Sequence, residues 1–174
     1  MTLSDLGSIG DFIGAIGVIA SLIYVGFEVR RNTKALRAQA HETVVAGYME
    51  SINVISEHAD IMARCFKSSY EEFRNYPDAE KTIFFGVIFG FFKHFEQIHA
   101  QHRQGLIGDD EWNSWSEHIR MQFHQPGPQW WWKVRRTSFV GPFREYLENS
   151  PRPEMKLLTE ILDDRVDSTF EESV

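Results

Sequence analysis

Cysteine is nearly missing from this chain: Cys65 is the only one in 174 residues. A single thiol excludes an intrachain disulfide and any metal site built from several thiolates, and it fits a reducing compartment. Proline is missing before Pro77, so nothing in that stretch forces a helix to break. Lysine and arginine are missing before Arg30, and no Ala-x-Ala element follows the apolar run that precedes it. A cleavable secretory leader, which needs a basic start and a small-residue cleavage site, is therefore not expected. Cations are outnumbered overall, 18 Lys and Arg against 25 Asp and Glu, for a net charge of -7. That balance excludes a general nucleic-acid binder, which needs clustered cations to displace counterions. No stretch alternates in polarity as a strand would, and no internal repeat is visible. Gly-x-Gly-x-x-Gly, Walker, Gly-x-Ser-x-Gly and His-Glu-x-x-His motifs are absent, so the sequence gives no ground to expect an enzyme, a cofactor or a bound metal.

What the chain does have is aromatic residues, 14 Phe and 5 Trp, enough to build a hydrophobic core. Its length suits one anchoring helix and one domain of ordinary size. Sixteen residues from Phe12 to Phe27 carry no formal charge, and Ile9 and Val29 extend the apolar character past Asp11 and Glu28. A helix rises ~1.5 Å per residue and a hydrocarbon core is ~30 Å thick, so a span needs roughly 17 to 20 residues and this run is at the short end. It reads as a transmembrane anchor over residues 1–30. A buried helix of a water-soluble bundle is the alternative that length alone leaves open. Arg30, Arg31, Lys34 and Arg37 follow the run and no basic residue precedes it, which places the C-terminal side in the cytoplasm and the four cations at the membrane surface.

Gly7, Gly10, Gly14, Gly17 and Ser21 recur at alternating spacings of three and four, so all five fall on one helical stripe. Small residues at that spacing let helix backbones approach closely in lipid, which makes self-association the economical partner choice. Asp11 and Glu28, ~25 Å apart by the helical rise, bracket the run near the same stripe. Rings of these carboxylates in an oligomer would resemble a cation pathway; the plain reading is that they mark the ends of the span.

Downstream, Arg30 to Ile55 is rich in helix formers, so the first helix is expected to continue unbroken as a stalk. A second helix is expected over Ala59 to Arg74. Pro77 and Asp78 open a third, Ala79 to Gln104, whose stretch Thr82 to Phe92 reads as an all-round apolar core helix with Gly86-x-x-x-Gly90 marking a close neighbour. Asp109 begins a helix to about His124 with Trp112 and Trp115 on one side. Gln125-Pro126-Gly127-Pro128 reads as a turn before a helical stretch with Trp130, Trp131 and Trp132. Short helices follow at Gly141 to Glu148 and Glu154 to Leu162, then an acidic tail over 163–174 expected to fray. The whole is an all-α chain: an anchor, a helical domain over 31–162 and the tail.

Two clusters invite chemical readings. Glu96-x-x-His99, with His94 and His102 on the same helix, resembles half of a di-iron site, but no second copy exists, so a polar-face role is preferred. Trp130, Trp131 and Trp132, ahead of Lys133, Arg135 and Arg136, suggest an interfacial belt at the membrane surface. Three successive residues cover about 200° of a helix, so at least one ring is expected outside and core packing for the other two.

Gly10-Asp11-Phe12-Ile13-Gly14-Ala15-Ile16, Leu22-Ile23-Tyr24 and Val29-Arg30-Arg31-Asn32-Thr33-Lys34 resemble the opening of a widespread family of uncharacterised bacterial proteins. The resemblance continues at Phe92-Lys93-His94-Phe95-Glu96, Gly105-Leu106, Trp112, Trp115, Trp131-Trp132, Phe139 and Pro142-Phe143-Arg144-Glu145. It implies a Gly-rich membrane helix with a cytoplasmic helical domain in the bacterial inner membrane, and it carries over no catalytic residue. The expected role is a membrane-anchored helical scaffold or accessory subunit that self-associates or joins a larger membrane complex. An oligomeric pore lined by Asp11 and Glu28, or a ligand- or metal-binding helical domain, are the alternatives.

Overall fold

The structure is a computed structural model that describes the backbone of residues 3–163 and the side chains of residue 12 and residues 14–161. Among the described residues all regular elements are helical: α1 (Leu3–Glu57), α2 (Ala59–Lys67), α3 (Tyr70–Arg74), α4 (Asp78–Arg103), α5 (Asp109–Phe123), α6 (Pro126–Arg135), a 3-10 turn at Arg136–Ser138, α7 (Gly141–Asn149) and α8 (Leu158–Asp163). The chain divides into two units, Met1–Ala40 and His41–Val174, and α1 contributes to both. The acidic tail beyond residue 163 lies outside the described residues.

The first unit is helix alone. Phe12, Ile16, Val18, Ile19, Leu22, Ile23, Tyr24, Val25, Phe27 and Val29 are each 52–68 % exposed. At ~100° per residue these positions go all round the helix, so no single face accounts for them. Ser21 returns its hydroxyl to the Gly17 carbonyl at 2.8 Å, and Thr33 does the same to Val29 at 2.9 Å. Among the described residues no helix is long and apolar enough to cross a membrane. Unbroken description begins at Gly14, and the fourteen residues from there to Phe27 rise only ~21 Å.

The second unit is a helical bundle around an aromatic core. On α4, Phe84, Ile88, Phe91, Phe92, Phe95, Ile98 and His99 are buried at helical spacing. They form one stripe, not the apolar cylinder expected of Thr82 to Phe92: Gly86 and Gly90 are exposed, and a Cβ added at either would meet nothing within 4 Å. The close neighbour that their spacing suggested is absent among the described residues. Phe66, Phe73, Trp131, Phe139, Phe143 and Leu147 close over the α4 stripe, and each large ring removed from water contributes about 1.5–3 kcal/mol.

Caps fix where the helices start. The second helix predicted for Ala59 to Arg74 is two helices, because Ser69 and Glu72 form a capping box. The Glu72 carboxylate accepts from the Ser69 amide at 2.8 Å, and the Ser69 hydroxyl accepts from the Glu72 amide. The Ser69 amide, and the Ser69 hydroxyl donating to the same carboxylate oxygen at 3.0 Å, hold the Glu72 carboxyl below its usual range. Gln125-Pro126-Gly127-Pro128 is the first turn of α6 and not a separate turn, since prolines cost no hydrogen bond where amides lack an intrahelical partner. The fully buried Gln125 accepts from Thr159 at its amide (3.2 Å) and hydroxyl (2.8 Å) and donates to the Met121 carbonyl (3.2 Å), tying α8 to α5. Helix α8 begins at Leu158, four residues later than predicted, where the Glu160 carboxylate reaches back to the Leu157 amide at 2.8 Å. Gly105, at φ +70°, follows the C-cap of α4 in the left-handed region that favours glycine.

Candidate functional site

Glu50, Ser51 and Val54 of α1, His58 between α1 and α2, and residues of α4 from Thr82 to Phe91 all lie in the second unit and line an open groove of about 400 Å³. Val54, Ile83, Val87 and Phe91 supply apolar walls, and Gly86 with Gly90 leave α4 bare along the floor. Glu50, Ser51, His58 and Thr82 are its polar lining. Ser51 is already engaged, donating to the Gly47 carbonyl at 2.9 Å. The lining contains no pairing of nucleophile and base, so what the groove offers is apolar contact surface.

Beside it, the Tyr48 hydroxyl and His118 Nε2 are 3.0 Å apart, with Trp115 edge-on to Tyr48 at 5.2 Å and Phe91 at 6.0 Å. Burial pushes His118 down to about 4, so the ring is neutral near pH 7 and shares one hydrogen bond with the Tyr48 hydroxyl through Nε2. Burial raises Tyr48, so its hydroxyl keeps its proton. His94 packs on α1 where a Cβ at Gly47 would sit 2.7 Å from its ring; burial lowers its pKa, and a hydrogen bond to the Val44 backbone opposes the shift. A histidine held neutral in the fold titrates near 6.5 when unfolded, so below that pH the unfolded chain takes up a proton the fold refuses. Stability therefore falls as pH drops from about 6.5 towards 4, by about 1–2 kcal/mol at pH 5 for His118 after allowance for its partly exposed edge. Urea midpoints at pH 7 and pH 5 check this: the gap narrows in His118→Gln, which keeps a hydrogen-bonding group for Tyr48. An unchanged gap would show that His118 is not the titrating group.

Glu96 and His99 do not converge. The Glu96 carboxylate accepts from the Val140 amide at 2.7 Å and from Lys93 Nζ at 2.7 Å, fixing the start of α7. His99 stacks on Tyr146 at 5.1 Å, and burial lowers its pKa, with Arg103 and His102 adding to the shift against Glu96. His102 stacks flat on Trp112 at 4.6 Å and lies 3.2 Å from Asp109. Among the described residues no group of three His, Cys, Asp or Glu is placed to hold a metal ion. Cys65 is fully buried, and burial pushes its thiol up to about 11.

The tryptophan belt is corrected by burial. Trp131 is 0 % and Trp132 3 % exposed, and half-buried Trp130 donates to the Ser68 carbonyl at 3.0 Å while its ring sits 4.5 Å from Phe73. Trp131 and Trp132 are interior side chains, the core packing expected of two of the three, so the three indoles do not together form an exposed belt. In the first unit, Gly14 and Gly17 are open to 4 Å, Glu28 pairs with Arg31 at 3.7 Å, and Arg30, Lys34 and Arg37 are exposed. The surroundings of Gly7 and Gly10 and the side chain of Asp11 lie outside the described residues. The groove and the Tyr48–His118 pair are the features the sequence reading missed; Gly86-x-x-x-Gly90 was the one signal pointing towards the groove. Comparison with known protein families, curated proteins and solved structures finds no match to this chain.

Proposed function

We propose that the chain is a membrane-anchored helical scaffold whose N-terminal unit inserts in lipid and whose helical bundle lies on the cytoplasmic side. The observation that supports this most is the ring of ten large apolar side chains from Phe12 to Val29, each more than half exposed. A helix apolar on all sides needs an apolar surrounding, and exposed patches of this extent mark interaction or membrane surfaces. The apolar stretch from Gly14 is too short by itself, but the sequence from Ile9 to Val29 rises ~31 Å, the thickness of a hydrocarbon core. Asp11 and Glu28 then sit near its two ends, and Arg30, Arg31, Lys34 and Arg37 favour the cytoplasmic headgroups. The open stripe of Gly14, Gly17 and Ser21 supports self-association of the anchors.

Cell breakage followed by carbonate washing and ultracentrifugation tests the anchor. The chain is expected in the pellet, released only by detergent, and the double change Ile19→Lys, Ile23→Lys is expected to move it to the supernatant. Wild-type chain found in the supernatant without detergent overturns the proposal. Self-association is read by native mass spectrometry in mild detergent, where Gly14→Leu, Gly17→Leu is expected to lower the subunit count.

A further inference from the structure

Two hollows of the second unit meet at His58. One is the groove between α1 and α4; the other, of about 250 Å³, is lined by residues 56–61 and takes in Glu57 and Asp60. Tyr48 meets Phe91 at 6.0 Å and Gly47 faces the His94 ring, so α4 runs antiparallel to this end of α1. The groove therefore runs from Glu50 at the Phe91 end to His58 at the Thr82 end, ~13 Å by the helical rise, or about two and a half turns. Each wall is one side of its helix: Glu50 and Val54 stand four apart, as do Ile83, Val87 and Phe91. Charge around the groove is of one sign. Between Arg37 and Arg64 the chain holds Glu42, Glu50, Glu57 and Asp60 and no Lys or Arg. Glu50, Glu57 and Asp60 have no cationic partner among the described residues. Lys81 and Arg64, towards the Thr82 end, are already paired, with Asp78 at 3.2 Å and Glu80 at 3.0 Å.

We propose that this groove docks an amphipathic helix of a partner protein, with apolar side chains at i, i+3 or i+4, and i+7, and Lys or Arg at both ends. The shape selects a helix. Val54, Ile83, Val87 and Phe91 offer apolar contact over the length that three such side chains cover, and Gly86 with Gly90 leave room for a backbone to come close. The lining has no converging set of polar groups that would orient a small polar molecule. Charge complementarity selects the flanks: a cation at one end of the helix meets Glu50, and cations at the other meet Glu57 and Asp60. The same carboxylates repel lipid phosphates and acidic segments. This inference rests on the scaffold reading above, for which it names the chemistry of the docked partner, and it is independent of where the first unit sits.

The test uses the full chain in phosphatidylcholine nanodiscs and a fluorescein-labelled helical peptide of about fourteen residues, with Leu at i, i+3 and i+7 and Lys at both ends. Empty discs give the blank, and a second peptide carries Glu in place of Lys. Fluorescence anisotropy is expected to show the Lys-ended peptide binding above the blank, about tenfold more tightly than the Glu-ended one at low salt. Gly86→Leu, Gly90→Leu fills the floor without a clash, because a Cβ at either position meets nothing within 4 Å, and is expected to weaken binding at least about tenfold. Glu50→Gln, Glu57→Gln, Asp60→Asn, a surface change, is expected to bring the two peptides to near equal Kd. A Lys-ended peptide bound no better than by empty discs, or equally by the filled variant, overturns the proposal. A subunit count that falls in the filled variant, read by native mass spectrometry, makes a second copy the occupant and overturns the partner helix. A chain that elutes apart from the discs overturns the anchor alone, and the same peptide titrations are then read on the free chain.

Discussion

Trp131→Ala is expected to lower the stability of the helical bundle by about 3–5 kcal/mol, the range for emptying a large aromatic site in a closed core. Trp131 is 0 % exposed and sits among Phe85, Phe92 and Phe139 at ring-centroid distances of 6.5, 5.5 and 6.1 Å. These neighbours belong to α4 and to the segment before α7, so the cavity would open between elements held by their own contacts and would collapse only in part. Trp131→Phe is a sharper comparison. The indole Nε1 is buried with no hydrogen-bond partner among the described residues. Leaving a donor unpaired in a core costs about 1–3 kcal/mol, so removing it offsets part of the volume lost in the smaller ring. Trp131→Phe is therefore expected to cost less than half of what Trp131→Ala costs in urea denaturation. Equal losses would mean that Nε1 has a partner and that its bond stabilises the fold.

Trp131 and Trp132 are buried and Trp130 is half-buried, close to the two core rings expected, but the neighbours they meet lay beyond the reach of the sequence. A pattern of 100° steps says that Trp130, Trp131 and Trp132 cannot share one face. It does not say how many neighbours α6 has. Trp130, half-buried, packs against Phe73 of α3 and Phe84 of α4, Trp131 against α4, and Trp132 against Phe139, so each ring meets a different set of neighbours. The groove was beyond reach for the same reason: it needs residues 50–58 beside residues 82–91, a pairing that no local pattern encodes. The Tyr48–His118 bond joins positions 70 apart in sequence. By contrast the 55-residue run of α1 follows from the missing prolines and the helix formers after Arg30, and the α4 and α5 starts follow from Pro77–Asp78 and Asp109–Asp110. The break between α2 and α3 has a local signal, the capping-box pattern Ser69-x-x-Glu72, which the reading of one helix over Ala59 to Arg74 left unused. Local chemistry thus set the helices, and only the tertiary neighbours decided which aromatic faces they hid.

Gly127→Ala is expected to destabilise the bundle by about 3 kcal/mol, although alanine is the better helix former by about 1 kcal/mol. The reason is a close approach of backbones. A Cβ at Gly127 would lie 2.2 Å from the Cys65 carbonyl oxygen and 3.1 Å from the Phe66 Cα. Both atoms belong to the backbone of α2, which cannot swing aside as a long side chain can, so α2 and α6 must separate. That separation would disturb the Trp130 donation to the Ser68 carbonyl, just past the C-terminus of α2, and the packing of Trp131 below it. For a domain of this size such a loss lowers Tm by roughly 6–12 °C. Gly86→Ala supplies the control, because its Cβ meets nothing within 4 Å and its position is an exposed helix interior. It is expected to raise stability by up to about 1 kcal/mol. Gly47→Ala should fall between the two, since the atoms in its way belong to the His94 side chain, whose ring can shift where a backbone cannot. Thermal unfolding of the three variants followed by circular dichroism gives the order directly; a Gly127→Ala chain as stable as Gly86→Ala would mean that α2 and α6 are not in backbone contact.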